Sequence, residues 1–209
     1  MKKWMLKRNH VDIKRMAKRL NIDETTACIL ANRGIGTYKE ALNFLEPDIS
    51  NMYDTYSIKD MEKGINIICE KINQHKKIAI YGDYDVDGVM SITILYKVLK
   101  ESGADVIYYV PNRQTEGYGL NTAAIDKLYE MKVDTIFTSE NGIVAFDEVK
   151  KAKDYNMTFV ILDHHEPSFE IDDNGKKRDI IPCADAVIDT KQANCEYPFK
   201  FLCAAGLAY

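Results

Sequence analysis

The chain has 209 residues, 46% apolar and 29% charged, close to the average of soluble globular domains. That length buries a core without disulfides or structural metal, and 13 Tyr with a net charge of only −4 exclude a wholly disordered chain. No stretch approaches the roughly 20 apolar residues of a membrane span, and the opening Met1-Lys2-Lys3-Trp4-Met5-Leu6-Lys7-Arg8 develops no apolar signal-peptide core. The five cysteines, Cys28, Cys69, Cys183, Cys195 and Cys203, include no C-x-x-C pair. They read as reduced thiols of a cytoplasmic protein rather than as a disulfide framework or a zinc site.

Residues 1–20 carry eight basic side chains against the single acid Asp12, a net +7 that leaves −11 for the remainder. Such an arm suits a phosphate backbone, and equally the solvated face of a helix. An acidic body argues against indiscriminate nucleic-acid binding but suits a protein that gathers carboxylates around metal ions.

The first seventy residues predict a small helical region. Asp23 caps a run to Leu30 that Asn32-Arg33-Gly34-Ile35-Gly36 stops, Thr37 caps a helix over 38–45 that Pro47 closes, and 58–72 shows one-face apolar spacing. From Lys77 the pattern changes. Short runs rich in β-branched and aromatic residues at 78–81, 106–110, 135–138, 159–162 and 186–188 alternate with helical patterns at 89–101, 122–131 and 144–154. The alternation predicts an α/β fold over 71–209, a mostly parallel five-stranded sheet with helices on both faces. In such sheets ligands bind at the carboxyl ends of the strands.

Those ends hold the chemistry. The first strand runs into Tyr81-Gly82-Asp83-Tyr84-Asp85-Val86-Asp87-Gly88. On extended backbone the three carboxylates share a side and could converge, and a divalent cation relieves their repulsion. An EF-hand is excluded by the position of Gly88 and the missing acid at the twelfth place. A capping turn with incidental acids stays open. The fourth strand ends in Leu162-Asp163-His164-His165, where neighbouring side chains point apart, so that one His ligates a metal while the other donates to a phosphate oxygen. The third ends in Thr138-Ser139-Glu140-Asn141-Gly142. After the second strand comes Pro111-Asn112-Arg113, then Gly117-Tyr118-Gly119-Leu120, where Arg113 could meet a phosphate. Alone that loop reads equally as an ordinary connection.

Asp83-Tyr84-Asp85-Val86-Asp87-Gly88 and Asp163-His164-His165 resemble the first and third motifs of the DHH phosphoesterase superfamily. The Pro-Asn-Arg and Gly-Tyr-Gly-Leu segments, Tyr197-Pro198-Phe199-Lys200, Cys203-Ala204-Ala205-Gly206, Asn32-Arg33-Gly34-Ile35 and Phe44-Leu45-Glu46-Pro47 resemble the RecJ-type exonucleases within it. The resemblance spans the chain. It implies a Rossmann-like DHH sheet and a Mn2+- or Mg2+-dependent hydrolase that degrades single-stranded DNA from the 5′ end in DNA repair and recombination. By position it implies Asp85, Asp87, Glu140 and His164 as metal ligands, His165 at the scissile phosphate or second metal, and Asp83 in support. Two ions would carry phosphodiester hydrolysis, with Arg113 or His165 neutralising phosphoryl charge.

Three positions depart from the family. Glu140 stands where the family has a bridging Asp, Tyr81 where some members have a further His, and Asp189-Thr190 where Asn-Pro is usual. A carboxylate one methylene longer is displaced by roughly an ångström, more than the ~0.5 Å a rigid site tolerates. The resemblance also implies an N-terminal portion, with the last metal-ligand Asp and the C-terminal domains beyond Tyr209; a C-terminal fragment or other repair proteins are the implied partners, and no membrane. Two rival readings are a phosphoesterase of short oligonucleotides or cyclic dinucleotides, and a fold-retaining remnant without turnover.

Overall fold

The computed structural model describes residues 10–209. Lys2, Lys3, Lys7 and Arg8 of the basic arm lie outside the described residues. Contacts divide the chain after Met52 into two compact units.

In the first unit three short helices follow their capping signals. Asp12 opens α1 (Ile13–Leu20), its carboxylate accepting from Arg15 N–H at 3.0 Å. Asp23 opens α2 (Glu24–Asn32) through Thr26 N–H, and Thr37 opens α3 (Tyr38–Leu45) in a reciprocal capping box with Glu40. Each cap satisfies donors that the first helical turn leaves orphaned. Met16, Ala17 and Ala27 form a small core.

The first α-helix of the second unit is α4 (Met61–Asn73), which packs on the sheet although most of it falls in the expected helical region of residues 1–70. Its preceding residue, Asp60, spends its side chain elsewhere, accepting from Val187 N–H at 3.0 Å. Then come β1 (Lys77–Tyr81), α5 (Val86–Glu101), β2 (Asp105–Tyr109), α6 (Thr122–Glu130), β3 (Thr135–Thr138), α7 (Phe146–Asp154), β4 (Thr158–Leu162), β5 (Ser168–Ile171), β6 (Lys177–Ile180), β7 (Ala186–Ile188) and α8 (Ala204–Ala208). Five strands form one parallel sheet in the order β2-β1-β3-β4-β7.

Alternate strand residues face opposite layers, as the two-residue period requires. Ile78, Ile80, Val160, Leu162 and Ile188 meet α4, α5 and α8 on one face; Ala79, Tyr81, Ile136, Phe159 and Ile161 meet α6 and α7 on the other. Phe159 and Ile161 are fully buried, each stabilising by about 1.5–3 kcal/mol. The chain runs from β1 outward to β2, then returns to the far side of β1 for β3. The topological switch therefore lies between the carboxyl ends of β1 and β3.

Two elements differ from the sequence expectation. The helix after β1 starts at Val86, three residues earlier than expected, because Asp85 caps it. The antiparallel hairpin β5–β6 was not predicted. Its strands are short, polar and exposed, so no apolar run marks them, and its tip is a turn at Gly175 (φ +75°) closed by Asp172. The five cysteines are unbridged, and no helix among the described residues is long and apolar enough to cross a membrane.

Candidate metal centre

The capping of α5 reorganises the three carboxylates after β1. Asp83, buried in the connection, accepts from Tyr84 N–H at 2.7 Å. Asp85 is the N-cap, its Oδ1 accepting from Asp87 N–H and Gly88 N–H at 2.8 and 3.1 Å. Asp87 lies in the first helical turn. The extended geometry expected from alternation is thus lost after Asp83, and the three acids do not share one side of a strand. They are brought together through Glu140 instead.

Glu140 follows β3 on backbone in the left-handed region (φ +72°), its N–H donating to Leu162 O at 3.1 Å. A non-glycine residue there carries strain of about 1–3 kcal/mol. The side chain runs inward and is 4% exposed. Gly88 makes room for it: a Cβ there would stand 2.6 Å from Glu140 Oε2 and 2.5 Å from Asp83 O. Two sets of ligand atoms result, each within 4.8 Å of one another: Asp87, Glu140 and His164, and Asp83, Asp85 and Glu140. Glu140 belongs to both.

His164, after β4, points Nε2 to within 3.6 Å of Asp87 Oδ2 and 3.9 Å of Glu140 Oε1. Both His164 Nε2 and Glu140 Oε2 are buried without a hydrogen-bond partner. Buried polar atoms are normally satisfied. Two such orphans within one cluster of carboxylates fit a divalent cation, which imidazole and carboxylate oxygens suit in the class of Mn2+ and Mg2+. The electrostatics agree. Burial, then the charges of Asp85, Asp87 and Asp83, push the Glu140 carboxyl up to about 8. Burial raises Asp87 too, but the N–H groups of Ala205 and Ala204, the Cys203 thiol and His164 outweigh it and hold it below the usual carboxylate range. Burial, reinforced by His165, lowers His164 and favours the neutral imidazole that ligates metals.

His165 turns away from the cluster. Its Nδ1 lies 2.7 Å from Asp163 Oδ1. Asp163, 1% exposed, also accepts from Ile143 N–H and from the backbone N–H groups of His164 and His165. Burial alone would raise it, but these donors keep it low and ionised. An ionised carboxylate only accepts, so Nδ1 carries the hydrogen and Nε2 is left for other work. The same bond raises His165 above the usual histidine range. Motif reading included Asp163 but gave it no role; its contact with His165 is of the kind by which a carboxylate fixes a histidine's tautomer.

Arg113 is exposed on the β2–α6 loop, its guanidinium 5.5 Å over the Tyr84 ring. Tyr118 meets Tyr84 edge-on at 6.3 Å, and burial followed by the charges of Asp83, Glu140, Asp163 and Asp85 raises its hydroxyl, so it faces the cluster. Tyr81 does not. Its hydroxyl donates to Gly119 O at 3.2 Å and pins the loop. Asp189, fully buried after β7, accepts from Lys191 N–H, leaves Oδ2 without a partner, and is pushed by burial up to about 7.

A parallel sheet that gathers acids and a histidine at its switch point defines an α/β domain with a candidate metal centre. Residues 77–209 match the DHH family, N-terminal domain, and the chain belongs to that family. It is 36% identical over 208 residues to the single-stranded-DNA-specific exonuclease RecJ of Bacillus subtilis, covering 99% of this chain and 25% of that protein. To the Escherichia coli protein of the same name it is 28% identical over 182 residues, covering 87% of this chain and 29% of that one. The chain thus spans about a quarter of the length of these relatives. Among solved structures it resembles exonuclease RecJ bound to manganese (TM-score 0.62, 25% identity, 75% of this chain and 37% of that one). RecJ of Thermus thermophilus in complex with Mn2+ shares the fold (TM-score 0.64, 20% identity, 94% and 26%).

Proposed function

We propose that this chain is the metal-binding part of a RecJ-type exonuclease, hydrolysing phosphodiester bonds of single-stranded DNA from the 5′ end with Mn2+ or Mg2+. The observation that carries the reading is the Glu140 carboxylate common to two ligand sets. One cation would be held by Asp87, Glu140 and His164, the other by Asp83, Asp85 and Glu140. Two such ions supply an activated water and charge stabilisation of the leaving oxygen. The chain's own residues do the rest. Asp163 holds His165 in one tautomer and raises its proton affinity, so that Nε2 presents a hydrogen to a phosphate oxygen. Arg113 offers a fixed positive charge from the loop above Tyr84. The left-handed backbone at Glu140 lets a side chain longer than Asp fold back over Gly88 and reach both sets.

In the division of labour we propose, a helical N-terminal region precedes the phosphoesterase domain, and α4, expected within residues 1–70, goes with the domain whose sheet it covers. A C-terminal fragment carrying the remaining RecJ domains is the proposed partner, in repair and recombination in the cytoplasm. The test is degradation of 5′-labelled single- and double-stranded DNA in Mn2+, alongside Mn2+ titration of wild type and the Asp85→Ala/Asp87→Ala double variant. Selective loss of the single strand, and loss of Mn2+ binding in the double variant, are expected. Equal Mn2+ binding by the double variant would overturn the assignment.

A further inference from the structure

Asp87 serves two elements at once. From the first turn of α5 its carboxylate reaches α8, where Ala204 N–H donates to Oδ2 and Ala205 N–H to Oδ1, both at 2.8 Å. Cys203, the residue before α8, makes no side-chain cap. A carboxylate 117 residues away in the chain supplies it instead. Ala204 is fully buried, so its N–H has no recourse to water. The same Asp87 Oδ2 stands 3.6 Å from the orphaned Nε2 of His164.

We propose that the backbone N–H groups of Ala204 and Ala205 are positioning groups of the metal centre. They hold the Asp87 carboxylate in its cation-binding orientation, and they link the seating of α8 to cation affinity. The inference rests on the metal reading given above and adds a residue pair and a coupling to it. Each carboxylate oxygen has two lone-pair sites, so one N–H on each leaves a second for a cation. Without those donors Asp87, in a first helical turn, keeps only the Cys203 thiol and the charge of His164 to hold it. Groups that hydrogen-bond a ligating side chain typically contribute 10–100-fold in metal affinity. Linkage is reciprocal: whatever α8 contributes to cation binding, the cation returns to the seating of α8.

A pair of substitutions separates the donor from the helix. Ala204→Pro replaces the N–H with a ring carbon that faces Asp87 Oδ2 and so unseats the carboxylate, yet it suits the first helical position, and Cys203 already has the extended backbone (ψ 168°) that precedes proline. Ala204→Gly keeps the N–H but weakens the helix. Mn2+ titration should show about 10-fold weaker binding at one of two sites in Ala204→Pro, and affinity within twofold of wild type in Ala204→Gly. Unchanged affinity in the proline variant, or an equal loss in both, overturns the proposal.

Amide exchange keeps the question decidable if Ala204→Pro does not fold. In wild-type protein Mn2+ should slow exchange at Ala204 and Ala205, and Asp87→Ala should accelerate it at least 10-fold where Glu140→Gln does not. Exchange at these two amides that ignores both Mn2+ and Asp87→Ala overturns the proposal. Absence of any Mn2+ binding to wild-type protein would overturn the metal reading itself, a result recognisable from the titration alone.

Discussion

Asp163 and His165 are joined by a 2.7 Å bond from Nδ1–H to Oδ1, two residues apart in the chain yet on opposite sides of the burial boundary, the carboxylate 1% exposed and the ring half-buried. The bond fixes the tautomer and raises the ring's proton affinity. Asp163→Asn removes the negative charge that favours the protonated ring, and an amide cannot accept at both oxygen positions as Asp163 does. The histidine pKa should therefore fall, and the alkaline limb of the hydrolysis–pH profile should move to lower pH with it. Turnover should drop by about 10²-fold or more, as when other tautomer-fixing carboxylates are neutralised. NMR titration of His165 in chelator reads the first effect without any turnover. A histidine pKa unmoved by the substitution would mean that Asp163 serves only the backbone donors it also holds.

Glu140 makes stability depend on pH in a direction opposite to that of most carboxylates. Its folded pKa is raised from 4.5 to about 8, so between those values the folded chain keeps a proton that the unfolded chain has released. Stability in chelator should therefore be greatest below about pH 4.5 as far as this group is concerned, and should fall as pH rises through 8. Asp189, raised to about 7, acts in the same sense. Glu140→Gln should flatten the decline and raise the melting temperature at pH 8 by several degrees, while abolishing the gain that Mn2+ gives wild type. Thermal melts from pH 5 to 8.5, with and without Mn2+, decide it. A Gln variant melting below wild type at pH 8 in chelator would contradict the buried-charge account.

Gly88 is the position where the backbone leaves no alternative. A Cβ there would meet Asp83 O at 2.5 Å and Glu140 Oε2 at 2.6 Å, and the first is backbone that cannot swing aside. Gly88→Ala improves local helix propensity by about 1 kcal/mol, yet overpacking of this kind costs about 1–3 kcal/mol. The expected outcome is a folded chain, slightly destabilised, whose Mn2+ affinity falls at least 10-fold as Glu140 is pushed out of both ligand sets. Calorimetric titration with Mn2+ beside a thermal melt measures the two separately.

Much of this architecture was legible before the structure. Runs such as 159–162 are β-branched, aromatic and flanked by helical periods, and local pattern alone places them in a parallel sheet. The hairpin β5–β6 was not, because its two four-residue strands are exposed and carry Phe169, Ile171 and Ile180 singly among polar residues, with no apolar run. At the site, strand ends pointed to Asp83, Asp85, Asp87, Glu140 and the His164–His165 pair, and the family resemblance then implied Asp85, Asp87, Glu140 and His164 as the ligands. What strand periodicity misjudged was the backbone after Asp83: a cap, not an extended run, sets where Asp85 and Asp87 point. Asp163 was legible as part of a motif but not in its role, because which ring nitrogen of His165 it holds, and that Ile143 N–H also donates to it, are set by the fold. Nothing in the chain's order announces that Ala204 and Asp87 meet.

The basic start of the chain yields the last prediction. Of its eight cations, Lys14, Arg15, Lys18 and Arg19 are described, all exposed on α1, while Met16 and Ala17 face the small core. Asp12 caps the helix and keeps its negative charge, which leaves residues 10–20 at a net +3. Arg19 lies 4.0 Å over the Tyr38 ring, and with Arg15 and His10 it lines a cavity of about 340 Å³. Cations that contact a single strand of DNA release counterions, and each contact contributes about 0.7 to the slope of log affinity against log salt. Replacing all four with Gln should flatten that slope by up to about 2.8 units, measured by fluorescence anisotropy in chelator so that no strand is cut. Mn2+ binding should be unchanged, because none of the four belongs to either ligand set. A slope identical to wild type would leave α1 as a solvated face and return the DNA contact to Arg113 and the cluster.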